Sequence, residues 1–391
     1  MKPNFTNTEI AFKHLSNFEL AKATFLFTFI TKPFWVTLGK SLIFIAKTLR
    51  IPYGWALKRN VFRHFCGGTK VDNCNPVIQK LGDYGCYSIL DYSAEGQQGE
   101  ENFDKVCQEI LKTIDIAKTQ PFISFGVFKF TGMTSFELLE KVAAETPLTE
   151  KEQQNWENAM RRVTSIYEKA ASLQLPIFVD AEDSWIQPAI DKMVFEMMPR
   201  FNKEQPIVFT TIQMYRTAGI PMLETLIQKA KTENFKAGVK LVRGAYMENE
   251  RTRAFEMRYA SPIHNTKSDT DHAFNQAVAI CIDNIDTIHV CVATHNEESC
   301  SLAISRMEEK GMAPNDKRVA FAQLYGMSDH ITFNLAHSGY YVSKYLPYGP
   351  VEKVMPYLIR RAEENSSVAD QSNREITNFK AELQRRRNKM I

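Results

Sequence analysis

Seven cysteines among 391 residues, at 66, 74, 86, 107, 281, 291 and 300, are odd in number and form no CxxC pair. A disulfide scaffold and a zinc knuckle are therefore excluded, and buried, reduced thiols of a cytosolic or equivalent compartment are expected. Long apolar runs are missing as well. The run from Ala23 to Thr31 is stopped by Lys32-Pro33 and the next, Phe34 to Gly39, by Lys40. Both fall far short of the roughly 20 residues that cross a bilayer. Met1 to Ser16 is polar and lacks the apolar core of a secretory signal. No GxGxxG follows any candidate strand, and Gly67-Gly68 has no strand before it, so no dinucleotide fingerprint is present. Charge of one sign is scarce too: 48 basic against 45 acidic residues leave +3, too little to hold nucleic acid by bulk charge. With 44% hydrophobic and 24% charged residues, the composition is globular and excludes disorder and collagen-like repeats. The length suits two or three domains, or one α/β barrel with extensions.

The small net charge hides an asymmetry. Residues 1–70 hold 11 Lys/Arg against Glu9 and Glu19, a net of +9, and the other 321 residues carry 37 basic against 43 acidic, or −6. The same arm is rich in large apolar residues, Phe25, Phe27, Phe29, Phe34, Trp35, Phe44, Tyr53 and Trp55, punctuated by Lys22, Lys32, Lys40, Lys47 and Arg50. Cations beside exposed aromatics suit an anionic membrane surface, where each contributes about 1 kcal/mol. Helices packed on a larger domain with their basic faces in water explain the pattern equally well.

From about residue 84, short apolar runs alternate with helical stretches. The runs are Cys86–Tyr92, Phe122–Phe130, Pro176–Ala181, Ile207–Gln213, Gly238–Gly244, Ile288–Thr294, Arg318–Leu324 and Gly339–Leu346. They are rich in Val, Ile and Phe, as parallel strands covered on both faces require. Amphipathic segments such as Asn102–Lys118, Gln153–Ser172, Trp185–Met198 and Thr217–Thr232 lie between them, the third expected to stop at Pro199. Eight β–α alternations without a Gly/Ser linker predict a closed (β/α)8 TIM-type barrel, with a doubly wound sheet as the alternative. The expected organisation is an N-terminal helical, basic and aromatic arm over 1–83, the barrel over 84–370, and a basic helical tail over 371–391. The cluster Arg385-Arg386-Arg387 with Lys389 reads as a solvated helix end.

Chemistry in such a barrel collects at the C-terminal ends of the strands. Lys129 ends the second run, Asp180 and Glu182 the third, and Gln213 the fourth. Lys240 and Arg243 end the fifth run and Thr294-His295-Asn296 the sixth, while Gln323 lies in the seventh and Tyr345 in the eighth. Beyond the last strand, Tyr357, Arg360, Arg361 and Glu364 recur at spacings of three and four, on one side of a helix. Such an Arg–Glu pair is commonly a solvated surface contact. Beside a barrel mouth, the two guanidinium forks suit the carboxylate of a small zwitterion and Glu364 its ammonium. A Schiff-base aldolase using Lys129 or Lys240, and a non-catalytic amino-acid binder, fit the same residues.

These residues also carry a family resemblance. The segment from Tyr345 through Asn365, YxPYG followed by YxxRRxxEN, resembles the signature of FAD-dependent proline dehydrogenases. So do Lys240-Leu-Val-Arg-Gly-Ala-Tyr246, Val179-Asp-Ala-Glu182, Gln187-Pro-Ala-Ile-Asp191, Ala293-Thr-His-Asn296 and Gln323-Leu-Tyr-Gly-Met327, in that family's order. The likeness covers roughly residues 85–366. The resemblance is to the monofunctional members, so the aldehyde dehydrogenase domain that bifunctional members append is not expected.

The resemblance implies an enzyme that oxidises L-proline to Δ1-pyrroline-5-carboxylate, the first step of proline catabolism to glutamate. Hydride passes from C5 to FAD N5, and the electrons pass to a membrane quinone. It implies that Arg360 and Arg361 clamp the proline carboxylate with help from Lys129, and that Glu364 meets the ring nitrogen. Tyr345, Tyr357, Tyr246, Leu241 and Leu324 wall the ring. Lys240 lies near flavin N5, Gln213 binds its pyrimidine side, and Arg243, Ala245, Thr266, Lys267, Thr294, His295 and Asn296 line the rest of FAD. Asp180 sits behind, orienting Tyr345 or the basic cluster. Tyr345 stands where members preferring hydroxyproline carry a small residue, so proline is expected over 4-hydroxyproline. No metal and no nucleic acid are expected. The implied location is cytoplasmic or peripheral on an inner membrane, mitochondrial in a eukaryote, with membrane contact through residues 1–70.

Overall fold

The computed structural model describes residues 2–32, 34, 61–93, 98–367 and 369–389, and for residues 363–372 the backbone alone. Its strands are β1 (Tyr87–Tyr92), β2 (Ile123–Lys129), β3 (Ile177–Asp180), β4 (Val208–Gln213), β5 (Ala237–Val242), β6 (Ile288–Ala293), β7 (Val319–Leu324) and β8 (Val342–Tyr348). They follow one another as a closed barrel in the order β1 to β8. Each of the eight apolar runs became a strand, and the doubly wound alternative is excluded.

Helices of eight residues or more are α1 (Asn17–Ile30), α2 (Asn75–Gly82), α3 (Glu100–Ala117), α4 (Phe136–Ala143) and α5 (Glu150–Ser172). They continue as α6 (Gln187–Phe201), α7 (Gly219–Glu233), α8 (Met247–Met257), α9 (Lys267–Asp283) and α10 (Glu297–Glu309). The last three are α11 (Asp329–His337), α12 (Val351–Ser367) and α13 (Ala369–Asn388). Side-chain oxygens cap the free amides at several helix starts, as Thr149 does for α5 and Thr266 for α9. Pro199 does not end α6, which runs on to Phe201. A proline two residues from a helix end forgoes only one backbone bond, and the buried Met197 and Met198 hold the last turn.

The chain divides into two compact units, Gly96–Ala322 and Met1–Glu95 with Gln323–Ile391. In the first, Phe125 of β2 stacks on Phe178 of β3 with ring centroids 4.3 Å apart, and both meet Phe209 of β4 at 5.5 Å. Position 238 must be glycine for this, because a Cβ there would lie 2.6 Å from the Phe209 ring. The three rings form an apolar layer beneath the polar ends of the same strands. Buried Arg162 ties α5 to α3, donating to Glu100 and Asp104 at 2.7 Å and to the Met133 carbonyl at 2.9 Å.

In the second unit, β1 and β8 pair in parallel from Tyr87↔Ser343 to Tyr92↔Tyr348. A separate core joins Phe12, Leu20, Phe27 and Phe65 to Tyr357, Leu358 and Phe379. The C-terminal cluster is not the solvated helix end its charge suggested. Arg386 donates to the carbonyls of Phe12 at 2.7 Å and Leu15 at 2.8 Å, and Arg385 and Arg386 both pair with fully buried Glu382. Arg386 thus satisfies carbonyls just beyond the short Thr8–Ala11 turn, a role that composition does not reveal. Phe18, Phe25 and Phe34 are exposed. Trp35, Lys40, Phe44, Lys47, Arg50, Tyr53 and Trp55 lie outside the described residues. Among the described residues no helix is long and apolar enough to cross a membrane.

Candidate active site

The strand ends of the Gly96–Ala322 unit gather charge above the phenylalanine layer. Lys240, 4% exposed, forms an ion pair with Asp180, and its ammonium lies 4.9 Å from the Phe178 ring centroid. A buried ammonium needs such partners, a carboxylate and an aromatic face, to offset its lost hydration. Lys129 sits in register with Asp180 across the β2–β3 pair. Asp183, three residues beyond Asp180, has its carboxyl pushed up by burial and by the Glu250 carboxylate, and the Lys129 ammonium acts against both. Thr211, in register with Lys240, carries a buried hydroxyl with no hydrogen bond among the described residues. Gln213, two residues on, donates at 2.8 Å to the Glu182 carbonyl.

A second cluster surrounds Arg243. Its guanidinium donates to Asp271 at 2.6 Å, to Thr294 Oγ1 at 2.6 Å and to Ser299 Oγ at 3.1 Å, and it lies 4.5 Å over the Phe274 ring. Lys267 pairs with the same Asp271 at 2.6 Å. Asp271 is partly buried, yet the hydrogen bonds from Lys267 and Arg243 hold its carboxyl below the usual range. Thr266 caps α9, and Asn296 caps α10 by accepting from the Ser299 amide at 2.9 Å. His295 lies between Thr294 and that cap, half-buried. Ala245 is exposed and Tyr246 precedes α8. Gly244 has φ +132°, and a Cβ there would lie 2.6 Å from the Tyr215 ring, so only glycine lets the chain turn here. Leu241 is not brought to this face. Side chains alternate along β5, so with Lys240 turned toward Phe178, Leu241 projects to the opposite side, fully buried.

The second unit carries the other predicted residues. Tyr345 is half-buried on β8, its carbonyl accepting from the Tyr325 amide at 2.9 Å. On α12, Tyr357 and Arg361 are buried, with the guanidinium 5.3 Å from the Tyr357 ring centroid, and Arg360 is half-buried beside them. The backbone of Glu364 continues this helix, and its side chain lies outside the described residues. Leu324 packs partly buried at the end of β7. The turn after it is fixed from several directions. The fully buried Lys344 pairs with Asp329 at 2.8 Å and donates to the carbonyls of Leu324, at 3.3 Å, and Met327. His14 reaches the same carboxylate at 3.2 Å, His64 bonds the Gly326 carbonyl at 2.9 Å, and Glu375 accepts from the Ser328 amide at 2.5 Å. Asp329 is buried, but Lys344 and His14 hold its carboxyl far below the ordinary range.

Sequence reasoning missed Asp271, Ser299 and Phe274 around Arg243. The spacing of four between Lys267 and Asp271 was their only signal. It also missed the Lys344–Asp329–His14 triad, whose members lie too far apart in sequence to suggest one another. The seven cysteines are all free and buried, with burial pushing the thiols of Cys74, Cys86, Cys291 and Cys300 to about 12. Among the described residues no three His, Cys, Asp or Glu side chains converge as a metal site. The cations Lys240 and Arg243, the Gln213 amide and the unsatisfied Thr211 hydroxyl instead suit an anionic cofactor rich in hydrogen-bonding groups.

A family profile described as proline dehydrogenase matches residues 74–374. Proline dehydrogenase 1, mitochondrial, of Dictyostelium discoideum is 31% identical over 379 residues, covering 86% of this chain and 66% of that protein. The carbapenem antibiotics biosynthesis protein CarD of Pectobacterium carotovorum subsp. carotovorum is 33% identical over 348 residues, 88% of this chain and 89% of that one. Proline utilization A (PutA) from Bdellovibrio bacteriovorus, solved after inactivation by N-propargylglycine, superposes with a TM-score of 0.70 over 80% of this chain and 33% of its own. At 19% identity that likeness speaks for the fold alone. The chain thus spans about two-thirds of the Dictyostelium relative and a third of the PutA chain. The profile runs from before β1 to beyond α12 and takes in every strand end that carries a candidate residue, so the chain belongs to the proline dehydrogenase family.

Proposed function

We propose that this chain oxidises L-proline to Δ1-pyrroline-5-carboxylate with FAD as its bound oxidant and a membrane quinone as the final acceptor. The observation that carries this reading is Arg361, a buried guanidinium stacked 5.3 Å over Tyr357 with Arg360 beside it on α12. Adjacent forks of this kind are pre-organised for a small carboxylate, and an aromatic neighbour suits an apolar ring. In this reading Arg360 and Arg361 hold the carboxylate with Lys129, while Glu364 faces the ring nitrogen. Tyr345, Tyr357, Tyr246 and Leu324 exclude water around the ring. Gln213, Lys240, Arg243, Ala245, Thr266, Lys267, Thr294, His295 and Asn296 would hold FAD. When bound, FAD supplies the two-electron acceptor for hydride leaving C5 of the ring. The Lys240 ammonium, paired with Asp180, would offer positive charge where negative charge develops. The same contact turns the Lys240 nitrogen onto the Asp180 carboxylate, which disfavours a Schiff-base role for it.

Peripheral membrane contact is part of the proposal. Phe18 and Phe25 are 78% and 66% exposed, seven residues apart and so on one face of α1, with Lys22 between them in sequence. A visible absorbance spectrum before and after addition of L-proline tests the main reading. A flavin band that bleaches with proline, and far more slowly with trans-4-hydroxy-L-proline, is expected. Purified protein that neither carries nor takes up flavin would refute the reading, and equal bleaching by the two substrates would refute the role of Tyr345 in selecting between them.

A further inference from the structure

Two quoted motifs, Val179-Asp-Ala-Glu182 and Gln187-Pro-Ala-Ile-Asp191, have acidic and amide residues that the proposed chemistry does not use. The structure ties them into one buried chain of hydrogen bonds. Glu182, 7% exposed, accepts the Thr131 amide on Oε1 at 3.1 Å and the Thr131 hydroxyl on Oε2 at 2.6 Å. Its carbonyl accepts from Gln213 Nε2 at 2.8 Å, and its amide donates to Gln187 Oε1 at 3.2 Å. Gln187 in turn donates through Nε2 to Asp191 at 2.8 Å. The ionised Asp191 carboxylate accepts only, so it orients the Gln187 amide with its oxygen toward the Glu182 amide. The four hydrogen bonds named here at Glu182 therefore each have a defined direction.

We propose that Glu182 is a positioning residue that sets Lys129 and Gln213 relative to each other. One carboxylate grips the chain two residues beyond Lys129, at the short turn Phe130–Gly132, and the carbonyl of the same residue grips the Gln213 side chain. Lys129 ends β2 and Gln213 ends β4, with β3 between them. The β2–β3 ladder pairs Lys129 with Asp180, and the β3–β4 ladder runs only from Ile177↔Val208 to Phe178↔Phe209, short of Gln213. Glu182, just beyond β3, supplies that link. Being bidentate, it holds the Thr131 turn in rotation as well as distance. The proposal rests on the proline reading, in which Lys129 meets the substrate carboxylate and Gln213 the flavin. Displacement of either group by about 1 Å is enough to cost on the order of a hundredfold in rate.

Thr131→Val removes one of the two bonds. Glu182→Ala removes both side-chain bonds while leaving the carbonyl. Glu182→Gln is the conservative variant, because its amide oxygen accepts the Thr131 N–H and its NH2 donates to a hydroxyl turned the other way. Affinity for FAD is read by quenching of flavin fluorescence on apoprotein. Affinity for tetrahydro-2-furoic acid, the ring-oxygen analogue of proline, is read by perturbation of the flavin spectrum. Both readouts are independent of turnover. Glu182→Ala is expected to bind the analogue about tenfold more weakly and to raise KM for proline more than it lowers kcat, with Thr131→Val intermediate and Glu182→Gln within about threefold of wild type. Glu182→Ala protein with wild-type affinity for both ligands overturns the proposal, as does Glu182→Gln as damaged as Glu182→Ala. Should Glu182→Ala fail to fold, Thr131→Val decides alone: unchanged analogue affinity and KM refute the link. Absence of proline-dependent flavin reduction in wild type would instead remove the proline reading, and this proposal with it.

Discussion

Replacing Lys344 by methionine removes the cation from a buried triad and leaves, among the described residues, His14 as the ion-pair partner of the Asp329 carboxylate. Lys344 is fully buried, and Asp329 is 13% exposed. Breaking a buried ion pair by removing one partner typically costs about 3–5 kcal/mol, because the survivor is left charged and poorly solvated. The sign of the pH dependence separates this mechanism from simple loss of packing. In the wild type, the Asp329 carboxyl is held below its unfolded value, so it contributes stability above about pH 4 that is lost as pH falls further. In Lys344→Met, His14 alone is left to offset burial and the folded carboxyl is expected to rise above its unfolded value, so stability should fall as pH rises from about 4. Near pH 4.5 the carboxyl takes up a proton for only about 1 kcal/mol. The penalty there is about 2 kcal/mol, including the Leu324 and Met327 carbonyls that lose a donor. At about 2.1 cal/mol/K per residue, this chain loses roughly 1 °C of Tm per kcal/mol. Thermal unfolding followed by circular dichroism should show Lys344→Met lower by about 4–6 °C at pH 8 and by about 2 °C at pH 4.5. Adding Asp329→Asn should abolish the difference between the two pH values. An equal loss at both would mean that the triad carries no buried charge and would refute the reasoning.

Two further expectations follow from the same geometry. Arg361→Met removes a buried guanidinium fork and should lower kcat/KM for proline by at least about thirtyfold, about 2 kcal/mol, while flavin stays bound. Wild-type kcat/KM in steady-state dye reduction would take Arg361 out of the clamp. Burial pushes the Asp191 carboxyl up to about 6, so its ionisation destabilises the fold as pH rises from about 4 through 6. Asp191→Asn keeps the acceptor for Gln187 and should match wild type at pH 4 but melt up to about 3 °C higher at pH 7.5, and parallel melting at both pH values would contradict this.

Much of the barrel was legible without coordinates because its information is local. A run such as Val208–Gln213 is apolar, β-branched and short, and its alternation with helical segments leaves few topologies open. The strand-end positions of Lys129, Asp180, Gln213, Lys240 and Arg243 followed from the rule that chemistry gathers there. Period-two alternation along β5 also separates Leu241 from Lys240, but only once the face turned toward Phe178 is known. Pro199 misled as a helix stop because the rule that proline breaks helices weakens within the last turn, where few backbone bonds remain to be lost.

The sequence by itself determined the eight-stranded barrel, the aromatic and basic character of the first 70 residues, and the Tyr357, Arg360, Arg361 row on α12. Each is carried by residues within a few positions of one another, where periodicity and charge can be counted. Only the tertiary structure decided that Arg385 and Arg386 close on Glu382 and the N-terminal turn, that Lys344 neutralises Asp329, and that Glu182 joins Thr131 to Gln213. Apart from the local pairs of Arg385 and Arg386 with Glu382, these contacts join residues 15 to more than 370 positions apart, and their strength comes from burial. A carboxylate or guanidinium in water gains little from a partner, whereas the same group shielded from water must find one, and nothing in the local sequence says which groups will be shielded.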